Sequence, residues 1–146
     1  MTTRARDAAP LAREIEHTAD LGLEIEAPTL AALFERAGLA MLGLMLDVAA
    51  LAPREERALT VEGDDVEELL HDWLQTLLVQ LEVDGFAACE LDVARVDERS
   101  VRGSARGERI DLARHPLHTE LKGVTYHALT VRRGPRGWWA RVIFDV

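Results

Sequence analysis

The chain of 146 residues contains one cysteine, one lysine, one tyrosine, two serines and no asparagine. The lone Cys89 excludes an intramolecular disulfide and any metal site built from several thiolates. The serines, Ser100 and Ser104, fall in an arginine- and glycine-rich stretch, with no strand-to-helix elbow for a nucleophilic hydrolase. No glycine loop of the phosphate-cradling type is present. A run of about 18 apolar residues is also missing, so no helix is expected to span a membrane. Residues 1–13 lack the apolar centre of a secretory signal, and the expected compartment is cytoplasmic. Cations are few too, 17 against 26 acidic residues, for a net charge of −9. Domains that grip phosphate backbones by themselves are generally basic. The balance therefore argues against autonomous nucleic-acid binding and suits metal binding or a basic protein partner.

These scarcities sharpen what remains. Of 17 basic residues 16 are Arg, a bias that GC-rich codons account for. The single lysine, Lys122, and the single tyrosine, Tyr126, lie within five residues of each other. Lysine supplies a compact ammonium that the planar guanidinium fork does not replace, so this segment is a candidate for specific chemistry.

Hydropathy patterning predicts an α+β fold in one domain, with two amphipathic helices on a largely antiparallel sheet. Residues 1–13 are polar, show no period and read as a mobile tail before a domain at 14–146. Strand-like alternation at 13–17 and 21–27 flanks a turn at Thr18-Ala19-Asp20. Thr29 is placed to cap a helix running to about Asp47, with apolar Leu30, Leu33, Phe34, Ala37, Met41, Leu44 and Met45. Residues 54–57 read as a linker before a short strand at 58–62. Asp64 and Asp65 cap a second helix whose stripe is Val66, Leu69, Leu70, Trp73, Leu74, Leu77, Leu78 and Leu81, closed by Asp84-Gly85. Period-two strands are predicted at 89–97, 101–109, 120–132 and 138–145, with a turn at Gly134-Pro135-Arg136-Gly137.

Zinc has little material: His115 and His118 share a proline-containing loop without cysteines, and His71 is expected on the solvated side of the second helix. Cys89 reads as a small buried hydrophobe. Oxygen ligands are better supplied. Asp20 sits in a tight turn, where aspartate also serves by bonding its own backbone. Asp47 ends a helix, an unfavourable place for an anion unless a cation is near. Asp145 and the α-carboxylate of Val146 follow an apolar strand that would anchor them; the other reading is a frayed, solvated end. Two carboxylates there, joined by one from a turn, suit a hard cation such as Mg²⁺ or Ca²⁺.

Three ordered motifs carry a resemblance. Residues 16–22 (EHTADLG), 119–127 (TELKGVTYH) and 142–146 (VIFDV) resemble the archease signature, and the capped helix with Trp73-Leu74 falls in the expected order. The resemblance covers about residues 14–146. It implies an accessory protein that is not itself a catalyst. Its partner would be the RNA ligase RtcB, a GTP- and Mn²⁺-dependent enzyme of tRNA splicing and RNA repair. Archeases promote guanylylation of that ligase and sustain its multiple turnover, so RNA would be met only through the ligase. The resemblance further implies a divalent metal (Ca²⁺, Mg²⁺ or Mn²⁺) at Asp20, Asp145 and Val146, with Asp47 at a further acidic position. His17, Lys122, Thr125, Tyr126 and His127 would stand near it. His17 and His127 are open to a general-base role or to an orienting one. A metal-independent binding module or chaperone for nucleic-acid-processing enzymes is the alternative.

Overall fold

A computed structural model describes residues 2–4, 12–17 and 20–146, with residues 15–17 described as backbone only. The alternating segments near the start form strands β2 (Ala12–His17) and β3 (Asp20–Ala27), paired antiparallel with His17 opposite Asp20. Thr18 and Ala19 lie outside the described residues. Thr29 caps helix α1 (Leu30–Met45), its hydroxyl accepting from the Ala32 amide at 3.1 Å. Asp65 caps helix α2 (Val66–Asp84) by accepting from the Glu68 amide at 2.8 Å. Gly85 ends α2 in the left-handed conformation (φ 66°), which glycine adopts without a Cβ penalty.

The α+β class holds, with the strands divided between two antiparallel sheets. The first has the order β1 (Thr2–Arg4), β5 (Phe86–Val96), β6 (Ser100–Arg109), β4 (Glu55–Glu62). The second runs β2, β3, β9 (Gly137–Asp145), and the free side of β9 receives two short strands, β7 (Gly123–Val124) and β8 (Thr130–Gly134). Each helix touches strands of both sheets, so the pair forms a middle layer. The first helix is accordingly buried on nearly every side, from Leu33 to Met45, whereas α2 buries one stripe, Leu69 to Leu81. Their crossing is close at Gly38, where a Cβ would meet Leu91 Cδ1 at 2.5 Å and Leu77 Cδ1 at 2.8 Å. The Trp73 indole spans the same contact, donating to the Phe34 carbonyl at 3.0 Å.

Several expectations are revised. Thr2–Arg4, expected in a mobile tail, pairs with residues 90–92 of β5 because that strand would otherwise present an open edge; residues 5–11 lie outside the described ones. The expected linker at 54–57 belongs largely to β4, since Glu55–Arg57 pair with Gly107, Arg106 and Ala105. Residues 120–132 are not one strand. Only Gly123–Val124 and Thr130–Gly134 pair with β9, and the loop between them turns through Ala128 at φ 54°.

Glu35, unmarked by periodicity, is 2% exposed. Its carboxylate accepts from the Val93 amide at 2.7 Å and the Thr3 hydroxyl at 2.6 Å, taking over the β5 edge where β1 gives out. Burial pushes this carboxyl above its ordinary value of 4.5, against the hydrogen bonds from Thr3 and Val93, which hold it down. The folded state therefore binds the Glu35 proton more tightly than the unfolded chain. The stability this contributes is fully present below pH 4.5 and lost as pH rises through the raised folded value. Glu35→Gln keeps an acceptor for Val93 and removes that titration. Thermal melts of wild type and variant between acidic and neutral pH should diverge, wild type losing ground as pH rises; parallel curves would contradict the assignment. Glu35→Ala, which orphans the Val93 amide, should destabilise by about 1–3 kcal/mol.

Candidate functional site

The three motifs meet in one row across the second sheet. His17 of β2 stands opposite Asp20 of β3, Asp20 opposite Asp145 of β9, and Asp145 opposite Gly123 of β7. The backbone explains the convergence: Asp20 starts β3 and Asp145 ends β9, so antiparallel pairing brings the two strand termini together. Phe144, one residue earlier, is buried in the core, so alternation turns Asp145 to the outer face. Directly opposed residues project to the same face with Cβ atoms about 4.5–5.5 Å apart. Asp20 is half-buried and Asp145 and Val146 are exposed. The His17 side chain lies outside the described residues.

Residues 122–127 wrap the end of β9. The amide of Lys122 donates to the Asp145 carbonyl at 2.8 Å. Both the amide and the hydroxyl of Thr125 donate to the Ile143 carbonyl at 3.0 Å. The Lys122 and His127 side chains are exposed. Tyr126 is 60% exposed, with its phenol held above its ordinary value, first by burial and then by the charges of Asp72, Glu68 and Asp65. The hydroxyl therefore stays a proton donor at neutral pH.

Helix α2 fixes this segment through residues that periodicity assigned to solvent. His71, expected to be solvated, has a side chain only 12% exposed. Its ring stacks on Tyr126, with centroids 3.9 Å apart and planes 11° from parallel. One ring nitrogen contacts Asp72 Oδ1 at 2.8 Å, the other the Val124 carbonyl at 2.9 Å. Gln75 Oε1 accepts from the Val124 amide at 3.1 Å, so both polar groups of that peptide unit are held by α2. No local signal marks His71; the approach of residues 123–126 gives it the Val124 carbonyl and the Tyr126 ring.

Asp47 serves differently from what its helix-end position suggested. Its carboxylate accepts from the Ala49 amide at 3.2 Å and caps the short 3₁₀ helix Val48–Ala50. The anion thus faces the favourable start of the next helix and needs no cation there. His115 is buried, its Nδ1 accepting from the Asp111 amide at 3.0 Å, while His118 is exposed, so the two do not form a pair of ligands. Cys89 is buried, and its thiol is pushed up to about 11, chiefly by that burial.

Among the described residues no three His, Cys, Asp or Glu side chains converge as a metal cage. Two opposed carboxylates are nonetheless a fitting donor set for a hard cation. Mg²⁺ in particular is often held by one or two carboxylates, with water and phosphate oxygens completing the shell. The arrangement suits a cation shared with a second molecule better than one enclosed by this chain.

The family model described as the Archease protein family (MTH1598/TM1083) matches residues 13–146. The chain is 41% identical over 136 residues to a protein archease of Methanopyrus kandleri, covering 91% of this chain and 97% of that one. It is 33% identical to that of Pyrococcus furiosus, covering 90% and 95%. Among solved structures, a Methanobacterium thermoautotrophicum protein aligns with a TM-score of 0.77 at 29% identity, over 93% of this chain and 99% of that one. A Thermotoga maritima protein described as an archease, possible chaperone, aligns at 0.64 and 23% identity, over 92% and 96%, and shares the fold.

The α2 clamp has a measurable consequence. His71→Ala removes the stack on Tyr126 and leaves the Val124 carbonyl without its imidazole partner. Amide hydrogen exchange at residues 123–126 should accelerate at least about tenfold, with overall stability reduced by about 1–3 kcal/mol. Unchanged exchange there would show that the strand pairing alone holds the segment.

Proposed function

Because the chain belongs to the archease family, we propose that it is an accessory protein activating an RtcB-type RNA ligase in tRNA splicing or RNA repair. It would promote GTP-dependent guanylylation of the ligase and multiple turnover, without catalysing a reaction itself. The observation that carries this reading is the pairing of Asp20 with Asp145. Like charges directly opposed across a ladder destabilise a sheet, and a divalent cation between them removes the repulsion. Asp20, Asp145 and Val146 would hold Ca²⁺, Mg²⁺ or Mn²⁺. Such a cation supplies neutralisation of triphosphate charge during nucleotidyl transfer. Lys122, exposed beside the pair, is available to a phosphate or a ligase carboxylate, and Thr125 anchors its segment to β9. Tyr126 can donate a hydrogen bond, His17 stands in the row opposite Asp20, and His127 would lie near it. Asp47, committed to its cap, plays no part in this set. A net charge of −9 favours docking against a basic rim of the ligase.

Calorimetric titration with each cation, run beside reconstituted ligase guanylylation, tests the proposal. Asp20→Ala and Asp145→Ala should each weaken cation binding by about tenfold or more and reduce activation in parallel, since each removes one of few charged donors. Activation that survives both substitutions intact would instead support the metal-independent module or chaperone.

A further inference from the structure

The opposite end of the second sheet carries a different chemistry. Trp138 and Trp139 follow Gly137 at the start of β9, about 20 Å along the strand from Asp145 at ~3.3 Å per residue. Around the tryptophans stand Arg36 of α1, Arg132 and Arg133 of β8, Arg136 of the β8–β9 turn and Arg141 of β9. Five of the 16 arginines of an acidic chain thus gather at one end. Glu24 and Glu26 are the anions facing them from β3, through the pairs Glu24↔Arg141 and Glu26↔Trp139. Glu24 is engaged by Arg13 and, at 3.4 Å, by Arg141, and the first of these holds its carboxyl below the ordinary value.

Between these residues lies a cleft of about 430 Å³, walled by Pro28, Pro135, Trp138, Trp139, Arg36 and Arg136. The Arg36 guanidinium donates through Nη1 to the Glu26 carbonyl at 2.9 Å, while its buried Nε has no hydrogen-bond partner among the described residues. Guanidinium carbons of Arg141 and Arg132 stand 5.5 and 6.0 Å from the Trp139 ring centre, and that of Arg133 stands 6.0 Å from the Trp138 ring centre. Neither indole is fully buried.

A simple anion would use the arginines and leave the flat, partly open ring faces without a role. A ligand that alternates phosphates with unpaired planar bases uses both, through ionic contact and through stacking. A duplex offers phosphates but hides its base faces. We propose that this cleft is a subsite for one or two nucleotides of single-stranded nucleic acid. A base stacks on the exposed indole surface, and neighbouring phosphates meet Arg36 and Arg136. The net charge of −9 restricts the footprint to this patch and makes the affinity modest and salt-dependent. The subsite does not rest on the cation proposal, which concerns the other end of the sheet.

The test uses the full chain and fluorescently labelled octanucleotides of single-stranded RNA and of single-stranded DNA, read by anisotropy. Intrinsic tryptophan emission provides a second readout, in which fully buried Trp73 is a constant background. Saturable binding of either octamer at low salt is expected, weakening several-fold between roughly 50 and 200 mM salt. Comparing the two octamers tells which nucleic acid fits. Trp139→Ala should weaken binding about tenfold, as loss of one stacking platform does. Arg136→Ala and Arg132→Ala, at exposed positions that do not threaten folding, should weaken it several-fold and flatten its salt dependence. All three variants should keep wild-type cation titration, which separates failure of this subsite from failure of the cation site. No saturable binding, equal binding by the arginine variants, or equal affinity for a blunt duplex or an acidic peptide would each overturn the proposal.

Discussion

The antiparallel ladder between β3 and β9 is the constraint on which the rest of the molecule depends. Eight consecutive pairs run from Asp20↔Asp145 to Ala27↔Trp138, and alternate members face the helices. Leu23, Ile25 and Ala27 are buried on one strand and Ala140, Val142 and Phe144 on the other. A slip of one residue would turn Phe144 to solvent and Asp145 into the core. Burying a large apolar side chain stabilises by about 1.5–3 kcal/mol, and several are at stake here. Two carboxylates at surface dielectric repel by only about 1–4 kcal/mol at 4 Å. Packing wins, and the core forces two acidic side chains to stand together.

That ladder also sets the two ends of the sheet apart electrostatically. One end holds the acidic pair; the other, beside the β8–β9 turn, holds arginines and tryptophans. Asp20 and Asp145, like Trp138, Trp139 and Arg141, belong to strands whose inward residues lock them in place, whereas Arg36 comes from α1 and Arg136 from the β8–β9 turn. The segment at 122–127 is held differently. Its two β7 pairs would hold it weakly, and α2 supplies the remainder through Gln75 and the stacked His71. Helix packing is in this way linked to the surface: Gly38 lets α1, α2 and β5 approach closely, which fixes the position from which His71 reaches Val124.

Much of this was legible in the residues. Short capping side chains at Thr29 and Asp65, a glycine after Asp84 and stripes repeating every three to four residues are local signals, and the two helices obey them. Alternation likewise located most strands, because a half-buried sheet imposes period two wherever it forms. The resemblance of three motifs identified the family, and the order of Asp20, Lys122 and Asp145 along the chain marked them out together. Where periodicity failed, the competing influence was tertiary. The alternating run at 120–132 is interrupted because Thr125 turns both donors onto one carbonyl of β9, and no local rule announces that contact. Thr2–Arg4 has no pattern of its own and is ordered by the open edge of β5.

The sequence by itself therefore determined the two helices, their caps and most of the inward strand faces, since each follows from neighbours within a few residues. Only the tertiary structure decided that the strands form two sheets around the helices, that Glu35 satisfies a strand edge 58 residues away, and that His71 is a clamp instead of a solvated side chain. It also decided that Asp20 meets Asp145 across a separation of more than a hundred residues. Such pairings are chosen by burial and register acting on the whole chain, and no short stretch of sequence contains both partners.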